Sequence, residues 1–392
     1  MIGRITSVNN FFICVFLIIL EFNKDKNKKN LLIKQYIFNF AYRLAYMKVE
    51  SAMAADFFSK LSAARNIVIA GHLNPDGDCI GCLTGMKAWI ESAFMGSVES
   101  ISMIVPNVFP DYLKFMPGAS QVLDFSLNPR AAEALIEKAD TVICMDLNNL
   151  ARTEGMAGAL RLNAGEKILI DHHPQPEDFA DLVFSETEVS SASELTWWLL
   201  SEVSAQLGKE IPFDTKTSLY TGMMTDTNNF CNSVFPSTFL MASQIAQAGV
   251  DRERIQFEIM NSFSEQRMRL MGEMLLNRMK MFKDLKAASM VLDKAVKDSF
   301  DYRDGDSEGF VNLPLKIKDV EISALFTQSD GYIKVSLRSK GAVSVNQLCR
   351  RYFNGGGHER AAGGRLYMPV EEVEDYFERS LRAFLEENRH SF

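Results

Sequence analysis

The sequence predicts an α/β fold in which a doubly wound parallel sheet forms the N-terminal domain and a smaller α+β domain follows it. Apolar, β-branched strands alternate with helical stretches in the first part of the chain, whereas the C-terminal part changes to alternating strands. A length of 392 residues also exceeds what one hydrophobic core usually supports. The predicted boundaries are an extension at 1–46, a first domain at 50–248, a helical connector at 249–285 and a second domain at 286–392.

The first 46 residues differ in composition from the rest of the chain. They contain an apolar run at 11–20, followed by a basic stretch at 24–29. Such a run is shorter than the roughly 20 residues that a transmembrane helix needs, and no small-residue cleavage site follows it before the charges. We interpret the segment as an upstream extension outside the functional fold, which would begin at Met47. A membrane-associated leader is the alternative.

Beyond this extension the chain is strongly acidic. Residues 1–46 hold seven basic and two acidic residues, which leaves 35 Lys and Arg against 48 Asp and Glu in the remainder, a net charge of −13. Proteins that bind long nucleic acids usually present basic tracks to the phosphates. The charge therefore favours small phosphorylated ligands and argues against duplex binding.

Cysteine usage is typical of an intracellular protein. The six cysteines are scattered, and several lie in apolar stretches where free buried thiols are common. Disulfides form and persist mainly in oxidising compartments, so this pattern favours a reducing cytoplasm. We expect a cytoplasmic protein with no membrane partner.

Three of the strands predicted for the first domain end on residues that can bind a metal ion. The strand at 66–70 leads into the spacing His-x-x-x-Asp-x-Asp, and a helix follows at about 79–92. The strand at 141–145 ends on an aspartate, and that at 167–170 ends on Asp-His-His. A helix at 213–224 leads to one more aspartate. Together these residues are His72, Asp76, Asp78, Asp146, Asp171, His172, His173 and Asp226.

Because the carboxyl ends of parallel strands meet at one edge of a sheet, we expect these side chains to share a crevice. Two hard divalent ions need oxygen and imidazole ligands and one carboxylate that bridges them. The residues divide into two such sets: His72, Asp76 and Asp146 for one ion, and Asp78, His172, Asp226 and the shared Asp146 for the other. The alternative, that each aspartate merely caps a helix, would explain one such position better than four.

This ligand set also predicts the metal and the reaction. Carboxylates and imidazoles without thiolates favour Mn²⁺, with Mg²⁺ as the alternative. Two such ions about 3.5–4 Å apart can generate a hydroxide at neutral pH and direct it in line at phosphorus. The sequence therefore predicts phosphoester hydrolysis.

The segment at 251–282 reads as one long helix, which we interpret as the connector between the domains. Its apolar residues recur at helical spacing and are expected to pack in the core or between the domains: Met268, Met271, Leu275, Met279 and Phe282.

The second domain is predicted to combine strands with two helices. Strands are expected at 289–292, 320–328 and 332–339, with a hairpin turn between the last two. Helices are expected at 345–352 and 370–387. A glycine-rich segment, Asn354-Gly-Gly-Gly-His-Glu-Arg-Ala-Ala-Gly-Gly364, follows the first of these helices.

In this order, the motifs resemble the DHH family of phosphoesterases with its associated DHHA1 domain, over about 50–388. The resemblance implies the metal ligands given above, with His173 near the scissile phosphate and Asp171 orienting the imidazoles. In the second domain it implies that Gly355, Gly356 and Gly357 allow the backbone to approach a phosphate. Directional donors would come from Arg338, Ser339, His358 and Arg360.

Within the family, the chain resembles the nanoRNase and pAp-phosphatase group, because it lacks membrane helices, sensor domains and an additional oligonucleotide-binding domain. The resemblance implies hydrolysis of very short single-stranded RNA and dephosphorylation of 3′-phosphoadenosine 5′-phosphate (pAp). Other relatives hydrolyse cyclic-dinucleotide products such as pApA, pyrophosphate or polyphosphate, and these activities are the alternatives. A catalytically silent nucleotide-binding protein is the alternative of a different class. The resemblance also allows a homodimer.

Overall fold

The first domain is built on a six-stranded sheet whose strands are all parallel. The computed structural model describes residues 49–261, 263–303 and 305–388, so the extension predicted at 1–46 lies outside the described residues. The strands lie in the order β3-β2-β1-β4-β5-β6. Their ranges are β1 Asn66–Ala70, β2 Ser100–Val105, β3 Val122–Asp124, β4 Thr141–Met145, β5 Glu166–Asp171 and β6 Leu182–Ser185.

Helices cover both faces of this sheet. In β1, Ile67 and Ile69 pack into one core, and Val68 and Ala70 pack into the other, because successive side chains of a strand point to opposite faces. Both faces are thus apolar, which confirms the predicted doubly wound parallel sheet. The helices are α1 Ser51–Ala63, α2 Gly77–Ala93, α3 Pro129–Lys138, α4 Ala157–Leu162, α5 Ala192–Leu207, α6 Phe213–Asp226, α7 Pro236–Gln247 and α8 Arg252–Met260. Within the described ranges, no helix is both long and apolar enough to span a membrane.

The predicted single helix at 251–282 is wrong. The chain forms α8, then α9 Glu265–Leu276, and then β7 Met279–Phe282, which is an edge strand of the second sheet. The side chain of Ser264 caps α9 by accepting the backbone N–H of Arg267, and Asn277 ends that helix. Apolar residues continue at helical spacing beyond Asn277. A prediction from that spacing alone therefore extends the helix over the residues that form β7.

The two helices of this segment also belong to different cores. In α8, Ile255 and Ile259 pack on the core of the first domain. In α9, Leu270 and Met274 pack on the second sheet. The described residues therefore show no separate helical connector at 249–285.

The second domain is a six-stranded mixed sheet in the order β11-β12-β10-β9-β8-β7. Only the β8–β9 pair among these described strands is parallel. The remaining strands are β8 Ala287–Leu292, β9 Ile322–Ser329, β10 Tyr332–Ser339, β11 Gly356–His358 and β12 Ala361–Leu366, and the helices are α10 Lys294–Ser299, α11 Val345–Tyr352 and α12 Val373–Glu387. This is the smaller α+β domain that the sequence predicts.

Candidate metal centre

The candidate site lies at the point in the first sheet where the strand order reverses. β1 and β4 are neighbours in the sheet, but β2 and β3 lie on one side of them and β5 and β6 on the other. Such a switch point leaves a crevice at the carboxyl ends of the strands. His72, Asp146 and Asp171 follow or end β1, β4 and β5 at this edge.

The loop after β1 is fixed by the start of helix α2. Asp76 is the N-cap residue of α2, and its Oδ1 accepts the backbone N–H groups of Asp78 (3.0 Å) and Cys79 (3.1 Å). Nε2 of His72 lies 3.8 Å from Oδ1 of Asp76 and 3.2 Å from Oδ2 of Asp146. The three side chains are therefore close enough to hold one cation together.

Asp146 faces ligand groups on two sides. Its backbone has φ = 58°, a left-handed conformation in which aspartate is found more often than most residues. Oδ2 faces His72, while Oδ1 lies 3.6 Å from Nε2 of His172 and 3.6 Å from Nδ1 of His173. Oδ1 is buried and has no hydrogen bond to any described residue. Because such an atom is costly to leave unpaired, it fits a carboxylate shared between two ions.

The second group of ligands surrounds His172. Its Nε2 lies 3.9 Å from Oδ2 of Asp78 and 3.6 Å from Oδ2 of Asp226. The Asp78 carboxylate accepts the backbone N–H groups of Ala192 (2.7 Å) and Ser193 (2.9 Å) at the start of α5. These two hydrogen bonds fix the position of the Asp78 carboxylate at the N-terminus of α5.

Close packing of α2 against α6 brings Asp226 to the site. A Cβ atom on Gly81 would lie 2.6 Å from the carbonyl oxygen of Ser218 and 3.0 Å from Cα of Gly222. Only glycine therefore allows the two helices to approach this closely. Since Asp226 is the last residue of α6, the spacing between the helices sets its distance from Asp78 and His172.

His173 is held by Asp171 and Arg152. Its Nδ1 lies 2.8 Å from Oδ1 of Asp171, and Oδ2 of Asp171 accepts the backbone N–H of His173 at 3.0 Å. Asp171 is fully buried, as expected for a residue that orients a neighbouring imidazole. Nη1 of Arg152 lies 3.1 Å from Nε2 of the same ring.

Sequence reasoning missed Arg152. It lies on the 3-10 helix Leu150–Met156, six residues after Asp146, and an isolated arginine in a loop carries no periodic signal. The sequence signal that could have identified Arg152 lies in the residues just before it. Asn149 is the N-cap of a turn that directly follows a strand-end aspartate, so a side chain one turn later can reach back to that strand end.

Electrostatics at the site favour a bound cation. Burial, with repulsion from Asp146 and Asp226, raises the pKa of Asp78 well above its usual range. Burial also raises the pKa of Asp226 to about 7. Burial lowers the pKa of His72, but hydrogen bonds with Asp146 and Asp76 outweigh it and raise the pKa to about 10. These buried carboxylates repel one another, and a divalent cation would relieve that repulsion.

The second domain contributes His358 to the same site. Its ring stacks on His173, with 4.6 Å between centroids, and lies 5.1 Å from the ring of His172. Burial, together with His172 and then Arg152, lowers the pKa of His358 to about 4, so the ring is neutral at pH 7. Arg338, at the end of β10, is half-buried and is attracted by Glu308, Asp226 and Asp76.

Other residues predicted to bind substrate take different positions. The hydroxyl of Ser339 is buried and donates to the carbonyl oxygen of Val343 (2.8 Å). Arg360 is exposed in the turn between β11 and β12. A Cβ on Gly355 or Gly357 would lie within 2.6 Å of a carbonyl oxygen of β12, and Gly356 lies beside Arg350. Close packing against β12 therefore explains Gly355 and Gly357.

Besides the approach of His358 to His172, three contacts between described residues join the domains around the crevice. His358 stacks on His173, Arg350 donates to Oε1 of Gln175 at 3.2 Å, and Arg365 forms an ion pair with Glu154. All three come from the α11–β12 region of the second domain. The crevice is therefore lined by both domains.

Comparison with known proteins gives the family. A model of the DHH family, N-terminal domain, matches residues 66–223, and a model of the DHHA1 domain matches residues 287–387. A crystal structure described as an exopolyphosphatase-related protein from Bacteroides fragilis is 39% identical, with a TM-score of 0.79, and the match covers 86% of this chain and 97% of that one.

Curated bacterial relatives match over most of the chain as well. The probable bifunctional oligoribonuclease and PAP phosphatase NrnA of Streptococcus mutans is 28% identical over 82% of this chain and 96% of its own length. The bifunctional oligoribonuclease and PAP phosphatase NrnA of Bacillus subtilis is 26% identical over 80% of this chain and 94% of its own length. Both domains and their order agree with the resemblance in the motifs. The chain therefore belongs to the DHH family of phosphoesterases, as a member with a DHHA1 domain.

Proposed function

We propose that this protein is an Mn²⁺-dependent phosphoesterase that hydrolyses short oligoribonucleotides and dephosphorylates pAp. One observation carries the proposal: Asp146 lies between two sets of carboxylate and imidazole groups, with one buried oxygen unpaired, where the second domain reaches the site through His358.

The residues fit a pair of hard divalent ions. His72, Asp76 and Asp146 would hold one ion, and their ligand atoms lie within 4.8 Å of one another. Asp78, His172 and Asp226, which meet the same limit, would hold the other ion together with Asp146, whose Oδ1 lies 3.6 Å from Nε2 of His172. Burial raises the pKa values of the nearby thiols of Cys79 and Cys82 well above their usual range, so thiolate ligands are not offered. Such a donor set favours Mn²⁺, with Mg²⁺ as the alternative.

When bound, the two ions would activate a water molecule and stabilise the charge that develops on the phosphoryl group. The chain itself positions the other groups. Asp171 holds the His173 ring, and the stack with His358 confines that ring from the second domain. Both imidazoles therefore face the place where a phosphate would lie against the ions.

Short substrates are favoured by the distribution of charge. The cationic groups near the crevice are few and local, among them Arg152 and Arg338, whereas the chain beyond residue 46 carries a net charge of −13. A long single strand or a duplex would need a basic track to hold its backbone. The names of the S. mutans and B. subtilis relatives, oligoribonuclease and PAP phosphatase, support the same substrate class.

A second candidate is hydrolysis of polyphosphate or pyrophosphate. It is favoured by the description of the B. fragilis protein as exopolyphosphatase-related at 39% identity. The same metal pair would serve this reaction, because it too displaces a phosphoryl oxygen.

A substrate panel separates the candidates. Metal-stripped protein reloaded with Mn²⁺ should release mononucleotides from ribonucleotides two to five residues long and phosphate from pAp. Polyphosphate, pyrophosphate, pApA and long single-stranded DNA should be poorer substrates by kcat/KM. Cleavage of pyrophosphate or polyphosphate alone would replace the proposal with the second candidate, and nucleotide binding without any turnover would indicate a silent binding protein.

A further inference from the structure

Arg152 brings a positive charge into a site otherwise built from carboxylates and imidazoles. Its Nη1 lies 3.1 Å from Nε2 of His173 and 3.3 Å from the carbonyl oxygen of Asp146. Its backbone is held on both sides, because its N–H donates to Asn149 (3.2 Å) and its carbonyl accepts the N–H of Leu73 (2.8 Å). The side chain therefore contacts the ends of β4 and β5, and the backbone that carries it is fixed by Asn149 and Leu73.

The guanidinium of Arg152 has no carboxylate partner in the part of the chain that the structure describes. Among the described residues, no aspartate or glutamate forms an ion pair with Arg152, and Nε and Nη2 form no hydrogen bond within that part of the chain. A half-buried arginine usually pairs with an anion, because its charge is costly to desolvate alone. Its position beside the proposed ions leaves these donors free for an anionic ligand.

We propose that Arg152 binds a non-bridging oxygen of the scissile phosphate and at the same time fixes the ring of His173. The inference rests on the proposed phosphoesterase function. The short contact with Asp171 places the His173 proton on Nδ1, and Nη1 of Arg152 lies against the face of the same ring, 3.3 Å from Nδ1 and 3.1 Å from Nε2. The remaining N–H groups form a planar fork that suits two phosphate oxygens.

This arrangement stabilises the transition state more than the bound substrate. Charge on the non-bridging oxygens is redistributed as the phosphoryl group transfers, and a preorganised arginine needs no rearrangement to meet it. Loss of Arg152 should therefore lower kcat more than it raises KM. A role confined to supporting the turn would instead lower stability and metal content together with the rate.

The test compares Arg152→Met, which keeps the aliphatic stem, with Arg152→Lys, which keeps the charge but loses the fork. Arg161→Met is the control, because Arg161 lies on the same segment but pairs with Glu177 at the surface. Arg152→Met should lower kcat on a diribonucleotide about 10²-fold, with Mn²⁺ content and melting temperature unchanged. Arg152→Lys should recover only part of the rate, and guanidinium ion in solution should partly rescue Arg152→Ala.

Binding of inorganic phosphate to the Mn²⁺-loaded protein provides a readout that does not depend on turnover. Its dissociation constant should rise in Arg152→Met and stay unchanged in Arg161→Met. Unchanged phosphate affinity and unchanged kcat in Arg152→Met would overturn the inference, as would a rate loss matched by lost metal in Arg152→Lys. If the wild-type protein hydrolyses no phosphoester, the proposed function fails, and phosphate affinity alone then decides the role of Arg152.

Discussion

At the scale of single residues, His358 and Arg360 should have different roles although they lie two positions apart. His358 stacks on His173 at 4.6 Å, whereas Arg360 is exposed in the turn after it. The motif alone predicts that both donate hydrogen bonds to the substrate. The stack brings His358 next to the proposed metal ligands, and we propose that only Arg360 holds the nucleotide end of the substrate.

We therefore expect His358→Ala to lower kcat on both a diribonucleotide and bis-p-nitrophenyl phosphate, by about 10²-fold if the ring contacts the reacting phosphate. Arg360→Ala should raise KM for the diribonucleotide and leave the artificial ester nearly unaffected, because that ester has no nucleotide to hold. Steady-state kinetics on both substrates measures this. An artificial-ester rate that is normal in His358→Ala would return His358 to the nucleotide-binding role.

The residues that follow strands could be predicted from the sequence, because a polar group after an apolar strand must lie at the edge of the sheet. Asp146 and His172 are such cases, and the structure brings both into one crevice. Side-chain direction could not be predicted in the same way. Ser339 ends β10 but donates inward to Val343, and Arg152 reaches the site from the 3-10 helix after β4.

At the scale of elements, the site depends on how closely α2 and α6 pack. A Cβ on Gly81 would meet backbone atoms of Ser218 and Gly222, and backbone atoms cannot move aside as a side chain can. Gly272, on α9, provides a matched control, because a Cβ there would meet open space.

Gly81→Ala should lower the free energy of unfolding by about 1–3 kcal/mol through overpacking. It should also weaken Mn²⁺ binding, because separation of the helices moves Asp226 away from His172. Gly272→Ala should raise stability by up to about 1 kcal/mol, because alanine favours the helix. Urea unfolding and Mn²⁺ titration measure both effects, and wild-type stability in Gly81→Ala would contradict the packing argument.

Helices and strands could be predicted from the sequence where the apolar pattern and the capping residues indicate the same element. They were predicted less well where these two signals differ. The parallel strands read clearly because both of their faces are apolar, as in β4, where all five residues are buried. The segment at 251–282 misled because Met279 and Phe282 fit a helical spacing as well as a strand. The capping serine at Ser264 was the local sign that a new helix begins there.

At the scale of the whole molecule, each domain contributes groups that the other lacks. The first domain supplies the carboxylates and imidazoles, and the second supplies His358 and Arg338. The polar contacts that join them, Arg365 with Glu154 and Arg350 with Gln175, are partly exposed, and such contacts contribute about 0–1 kcal/mol each. These two contacts oppose separation of the domains only weakly, and we expect the crevice to open to admit substrate and to close over it during turnover.

Two manganese ions that share the Asp146 carboxylate should be magnetically coupled, and this can be measured directly. Chelator-treated protein reloaded with Mn²⁺ should bind two ions per chain and give the EPR spectrum of an exchange-coupled pair. Asp146→Asn should lose the coupling and the activity, whereas Asp124→Asn, at the end of β3 where the carboxylate bonds to Ser126, should keep both. One ion per chain, or two uncoupled ions in the wild-type protein, would contradict a metal pair bridged by Asp146.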